Sequence, residues 1–169
     1  GWEAQVKFFS RRYRVVTYNA RGYPPSDVPT DPNAYSQEQA VEDLYGLLRH
    51  LSVEQAYIGG LSMGGSVALA FGIAHPEMAT ALIVAGAGTG STDPERFRRQ
   101  VEEFARALQE RGMAAMAEYA RGPARIQLLQ KNPRGWEQFA SAFASLSPTG
   151  CALTLKGFQA KRPTIFQME

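Results

Sequence analysis

One cysteine, Cys151, is present in 169 residues. That excludes a disulfide framework within the chain. A lone thiol fits a reducing compartment, so a cytoplasmic location is expected. Histidine is nearly as scarce, with only His50 and His75. Long apolar runs are missing too: the longest, around residues 79–87, falls short of the ~20 residues that span a bilayer. Nor is there a large charge of one sign. Lys plus Arg number 18 and Asp plus Glu 16, a net of +2. This argues against a protein held electrostatically to nucleic acid or a membrane surface, and neither partner is expected. What is present suits a folded core. The chain is 44% hydrophobic and 11% aromatic, too apolar for disorder and long enough to bury its apolar side chains.

Charge and pattern divide the chain at the same place. Residues 1–90 carry 6 basic and 8 acidic side chains, whereas residues 91–169 carry 12 and 8. The small-residue run from Ala85 to Ser91 marks the boundary, so 1–90 and 91–169 are read as two regions. In the first, residues 2–9 read as a short helix. Arg14–Tyr18 is β-branched and reads as a strand. Residues 19–33 hold four prolines and a glycine, hence a loop. Ser36 with Gln39 three residues on is a capping-box signature. The helix it opens buries Val41, Leu44, Tyr45 and Leu48. Residues 56–59 read as a second strand, 64–75 as a small-residue helix stopped by Pro76, and 81–85 as a third strand apolar on both faces and so buried. Strands alternating with helices predict a parallel sheet. The second region reads as helix throughout. Asp93-Pro94, Asn132-Pro133 and Ser147-Pro148 each pair a capping side chain with proline at the first helical position. Phe97, Val101, Phe104, Ala105 and Leu108 form one apolar stripe; Trp136, Phe139, Phe143 and Leu146 form another. They read as core, or in part, with Met113 or Met116, as the lining of a cavity.

Residues 60–64 read Gly-Leu-Ser-Met-Gly, a G-x-S-x-G pattern. Chance alone gives this in roughly one of twenty chains of this length, so its setting decides. It follows a predicted strand and opens a predicted helix, the strand–turn–helix context of a nucleophile elbow. Ser62 would be presented on a tight turn, and the backbone N–H of Met63 would face a developing oxyanion. Gly60 and Gly64 would let strand and helix approach. The alternative is a glycine-rich turn that only packs a helix on a sheet. A serine hydroxyl needs a base, and both histidines are badly placed. His75 lies thirteen residues down the same helix, roughly 20 Å away. His50 lies near the start of the strand whose end carries Ser62, about 17 Å off.

The segment from Tyr13 to Tyr23, with Ser26-Asp27, resembles the strand and Arg-Gly loop of the α/β-hydrolase superfamily, with Asn19 where aspartate is usual and Pro24-Pro25 in place of the glycine region. Residues 58–65 are similar to the elbow of its esterase, enol-lactonase and non-haem haloperoxidase branches, and Ala74-His75-Pro76-Glu77 to the helix end that follows. The resemblance implies an α/β fold: an incomplete α/β-hydrolase core with a partial parallel sheet over 1–90, and an all-helical cap, or lid, over 91–169. It implies Ser62 as nucleophile and Met63 as backbone oxyanion donor, a small-molecule acyl substrate, and neither metal nor cofactor. By family order the acid and the catalytic histidine fall beyond Glu169, and the His-Gly oxyanion loop before Gly1. The chain opens Gly1-Trp2-Glu3, without methionine, and is expected to be part of a longer polypeptide, inactive alone. The family's third strand would be absent, leaving a gap, or a rearranged pairing, beside the strand at 56–59 and much apolar surface exposed. Serine at the elbow sets aside the dehalogenase and epoxide hydrolase branches, whose elbow carries aspartate. Arg121, Arg125 or Arg134 could meet an acidic substrate, or be solvated surface. Two other readings are open: an α/β-hydrolase-like protein that binds a small ligand without turnover, and an interaction module docking through its basic half.

Overall fold

The computed structural model describes residues 1–168, with every side chain except those of Glu118, Pro123, Ala124 and Arg125. A short helix, α1 (Glu3–Phe9), precedes a long loop that includes a single 3-10 turn at Pro32–Ala34. Helix α2 (Gln37–His50), strand β1 (Ala56–Leu61), helix α3 (Met63–Ala74) and strand β2 (Ala79–Ala85) follow. The remainder is helical: α4 (Pro94–Arg111), α5 (Ala114–Ala120), α6 (Pro123–Lys131), α7 (Pro133–Ala144) and α8 (Pro148–Thr154), which runs into a π-helical turn at Leu155–Gln159.

The capping residues perform as their types predict. The Ser36 hydroxyl accepts the Gln39 N–H at 3.0 Å. Only half of the expected capping box forms there; the Gln39 amide nitrogen donates to Asp43 at 3.2 Å. Asp93, Asn132 and Ser147 accept from Arg96, Gly135 and Gly150 at 3.0, 2.9 and 3.1 Å. Each precedes a proline whose missing N–H would have been unpaired in any case.

β1 and β2 pair in parallel, with Ile58 opposite Leu82, Gly59 opposite Ile83 and Leu61 opposite Ala85. α3 is the crossover between them and covers one face of the pair. α2 packs on α3, and the cluster they enclose holds Val41, Leu44, Leu48, Ile58, Val67, Phe71 and Met78. Phe158 of the π turn completes this cluster from the helical half.

Two expectations for the sheet are corrected. Arg14–Tyr18 is not a strand: residues 14–20 carry no ladder. A strand exists only through its neighbour, and the sheet has two members, β1 and β2. Just before the segment, Tyr13 meets the Tyr57 ring of β1 edge-on with centroids 6.0 Å apart, and Arg14 donates to Leu51 O at 3.2 Å. β2, predicted to be buried on both faces, is not. Ile83 is 61% exposed and Val84 41%, because only the α3 side is covered. Tyr57 and Leu61 are equally open, and α1 buries none of its residues.

Ala105 and Leu108 of α4 pack with Ala115, Met116, Cys151 and Ala152 in a second cluster, and Val101 of the same helix is also buried. Tyr23, from the Arg-Gly loop, packs against it. The Trp136–Leu146 stripe expected as core is only half-buried, and α7 buries no residue fully. Its phenylalanines join an aromatic row instead: Phe139 stacks on Phe143 and Phe143 on Tyr119, with Phe104 beyond.

Burial in this second cluster raises two acid constants. The Cys151 thiol is pushed up to about 11 by desolvation, and the Tyr23 phenol to about 12 by desolvation and by the neighbouring Cys151. Both groups ionise more readily once the chain unfolds. Between their unfolded values of 9.0 and 10.0 and these folded values, the unfolded chain binds fewer protons. Stability therefore falls as pH rises through that window, by an amount of order 2 kcal/mol per group. Urea midpoints are expected to be flat from neutrality to mildly alkaline pH and to drop above it. Cys151→Ala should remove part of the drop.

Candidate active site

The strand–turn–helix context inferred for residues 56–75 is present. β1 ends at Leu61, Ser62 makes the turn, and α3 begins at Met63. Ser62 has φ 56° and ψ −113°. Non-glycine residues rarely adopt a φ of this sign, and holding one there costs about 1–3 kcal/mol. The Ser62 N–H donates to Ala85 O at 2.8 Å, extending the β1–β2 pairing, while its carbonyl accepts the Ser66 N–H at 3.1 Å. The residue thus belongs to strand and helix at once, which is what over-determines its strained backbone.

Ser62 stands at the N-cap of α3, yet its side chain makes no cap bond. The serines, aspartate and asparagine that cap α2, α4, α7 and α8 all do. The Ser62 hydroxyl is thus not engaged by the helix end, and the residue is exposed. Met63 is the first residue of α3, so its N–H lies among those without an intrahelical acceptor.

Close packing at the turn comes from a different glycine pair than expected. A Cβ on Gly60 would overlap the Gly64 carbonyl and stand 2.6 Å from the Gly65 nitrogen. A Cβ on Gly65 would lie 3.0 Å from Ala85 O. A Cβ on Gly64 meets nothing within 4 Å. Gly60 and Gly65 permit the approach; Gly64 contributes its carbonyl, not the absence of a side chain. The chain turns again after β2 at Gly86, Gly88 and Gly90, all with positive φ.

Neither histidine reaches Ser62. His75 is the C-cap of α3, at the far end of a helix about 18 Å long. Its ring stacks on Tyr45 with centroids 4.4 Å apart, and its Nε2 lies 3.4 Å from Glu42. His50 closes α2 and is exposed. Of the cap cations, Arg121 lies over the Trp136 ring at 5.8 Å and Arg134 is exposed. The Arg125 side chain lies outside the described residues.

The loop between residues 19 and 36 is tied on both sides. Arg21 forms a two-pronged ion pair with Asp43 of α2, at 2.9 and 2.6 Å. Gly22 and Gly150 cross with their backbones in contact, so that a Cβ on Gly150 would overlap the Gly22 carbonyl. A Cβ on Gly157 would likewise overlap Tyr35 O. These loop-to-helix crossings escaped sequence reasoning. The signal was one of isolated glycines, which does not say what approaches them.

Comparison with known proteins bears on this geometry. A family model described as "alpha/beta hydrolase fold" matches residues 1–165. 3-Oxoadipate enol-lactonase 2 of Acinetobacter baylyi is 30% identical over 119 residues, covering 70% of this chain and 42% of the relative. Epoxide hydrolase 3 of Xenopus tropicalis is 36% identical over 86 residues, 51% of this chain and 23% of the relative. Among solved structures, a thermophilic esterase from Thermogutta terrifontis superposes with a TM-score of 0.84 at 27% identity, covering 96% of this chain and 59% of the esterase. The chain thus spans less than two thirds of the length of each of these relatives.

Proposed function

Since the chain belongs to the α/β-hydrolase family, we propose that Ser62 is the nucleophile of an acyl-transferring hydrolase acting on an ester, lactone or related bond. The observation that carries this reading is the Ser62 backbone: a strained φ of 56° with the hydroxyl released from helix capping. Strain of this kind persists only where the surroundings enforce it, and an elbow that exposes its hydroxyl is such a place. In this reading the Ser62 oxygen attacks the acyl carbon. The Met63 N–H, at the positive end of α3, supports the charge that develops on the carbonyl oxygen. The small-molecule substrate lies between the elbow and the helical cap formed by residues 91–169. The enol-lactonase and esterase relatives support serine chemistry; the epoxide hydrolase relatives support only the broader hydrolase class. The unpaired Cys151 supports a cytoplasmic setting.

A serine without a base is a weak nucleophile, and among the described residues neither histidine is near Ser62. The base and its supporting acid are accordingly assigned to polypeptide outside these 169 residues, and this chain alone is assigned no turnover. A fluorophosphonate probe separates the parts of the reading. The 169-residue chain is expected to label no faster than an ordinary serine. The chain joined at both ends to the α/β-hydrolase segments that supply the oxyanion loop, the acid and the histidine is expected to label at Ser62, and Ser62→Ala to abolish it. Absence of labelling in the joined, folded protein would refute the nucleophile. The distance of both histidines from Ser62 also favours a second reading, a protein that binds a small ligand without turnover. There, Ser62→Ala would leave ligand-dependent stabilisation intact.

A further inference from the structure

A pocket of about 600 Å³ opens between the first turn of α4 and the tail that follows the π turn. Its lining joins Arg98, Lys161 and Arg162 to Ser91, Thr164 and Gln167, with no aspartate or glutamate and without Ser62. Three cations thus share one concavity with no carboxylate in its wall among the described residues.

Both arginines are held in place by neutral groups. Arg162 donates to Gln159 Oε1 at 3.0 Å, to Thr89 O at 2.5 Å and to Pro163 O at 3.5 Å, and its guanidinium lies 5.3 Å from the Phe97 ring centre. Among the described residues Arg98 gives its Nε to Ala160 O, at 3.3 Å, and its outer nitrogens have no acceptor there. None of these partners neutralises charge. Arg162 is half-buried, and desolvation lowers its pKa by penalising the cation. Ser91 is 7% exposed, and its Oγ accepts the Ile165 N–H at 3.1 Å. Its own proton can still be donated.

The location adds a consequence. Residues 86–91 lead from β2 into α4, and residues 162–167 lead out of the helical half. The bonds from Arg162 to Thr89 and from Ile165 to Ser91 tie the entering strand of chain to the leaving one. A ligand in this pocket would touch both.

We propose that the pocket binds an oxyanion, the phosphate or carboxylate group of a small molecule, and that the bound anion clamps the entry and exit of the helical half together. Planar guanidinium groups suit such oxygens, and the lining supplies donors with no competing carboxylate.

Inorganic phosphate and succinate, titrated separately into the whole chain at low ionic strength, test this. Equilibrium dialysis reads binding, and hydrogen exchange with mass spectrometry reads its place. Saturable binding of either anion is expected, with slower exchange in peptides covering residues 86–98 and 160–168. Whichever anion binds identifies the headgroup chemistry. Lys161→Gln and Arg98→Gln remove exposed side chains, and each is expected to weaken binding about tenfold. Arg106→Gln, in the neighbouring pocket of about 480 Å³, is expected to leave binding unchanged. Failure of both anions to saturate by about 50 mM, or equal binding by the Lys161 and Arg98 variants, would overturn the site. Binding without slower exchange in the two hinge segments would overturn the clamp.

Discussion

Gly60→Ala is expected to abolish folding. The new methyl would occupy the space of the Gly64 carbonyl and press on the Gly65 nitrogen at 2.6 Å. Both are backbone atoms in the first turn of α3, which is held by the Ser66-to-Ser62 bond. No rotamer change relieves such an overlap; either β1 or α3 must move. That separates the strand from the helix covering it and loosens Phe71, which is fully buried. A loss above about 4 kcal/mol is expected, comparable with the whole stability of a domain of ordinary size. Gly64→Ala, four residues away, meets nothing within 4 Å. As a helical glycine it is expected to change stability by less than about 1 kcal/mol, in the stabilising direction. Urea unfolding of the two variants beside the parent makes the contrast. Equal effects would mean that the turn is not packed as described.

Gly150→Ala is expected to rank second. Gly22 has φ 88°, and its carbonyl lies where a Cβ on Gly150 would be. Relief requires lifting the Arg-Gly loop from α8. The loop cannot follow freely, because Arg21 is fastened to Asp43 on α2. The added methyl therefore sets the ion pair against the helical half. The cost is expected at about 3 kcal/mol, seen as a lower urea midpoint and as proteolytic cutting between residues 19 and 36. A midpoint shift without new cleavage would place the strain in α8 instead.

Much of this arrangement is legible in the sequence, for local reasons. Ser36, Asp93, Asn132 and Ser147 act within three residues of themselves, so their roles follow from residue type. The elbow is similarly local: a strand, two small residues and a helix predict a turn wherever they fold. The reading misassigned one glycine of that turn because G-x-S-x-G states which residues are small, not which of them faces a neighbour. Arg14–Tyr18 was misread for the opposite reason. Its β-branched residues have the composition of a strand, but strand formation is decided by a partner that local sequence does not encode. The exposure of Ile83 and Val84 has the same origin, since apolar side chains do not guarantee a layer to cover them. The Gly22–Gly150 crossing and the anion pocket join residues far apart in the chain, and no periodic pattern announces either.

Phe158 belongs to the core that α2, α3 and β1 build, although it is encoded long after them. That has a meaning in time. With roughly seventy residues separating the end of β2 from Phe158, and synthesis adding about 5–20 residues per second, the amino-terminal elements wait several seconds for their last apolar side chain. Throughout that interval the cluster that includes Val41 and Phe71 lacks Phe158. The cluster built by the early half is therefore complete only once the helices that follow have been translated.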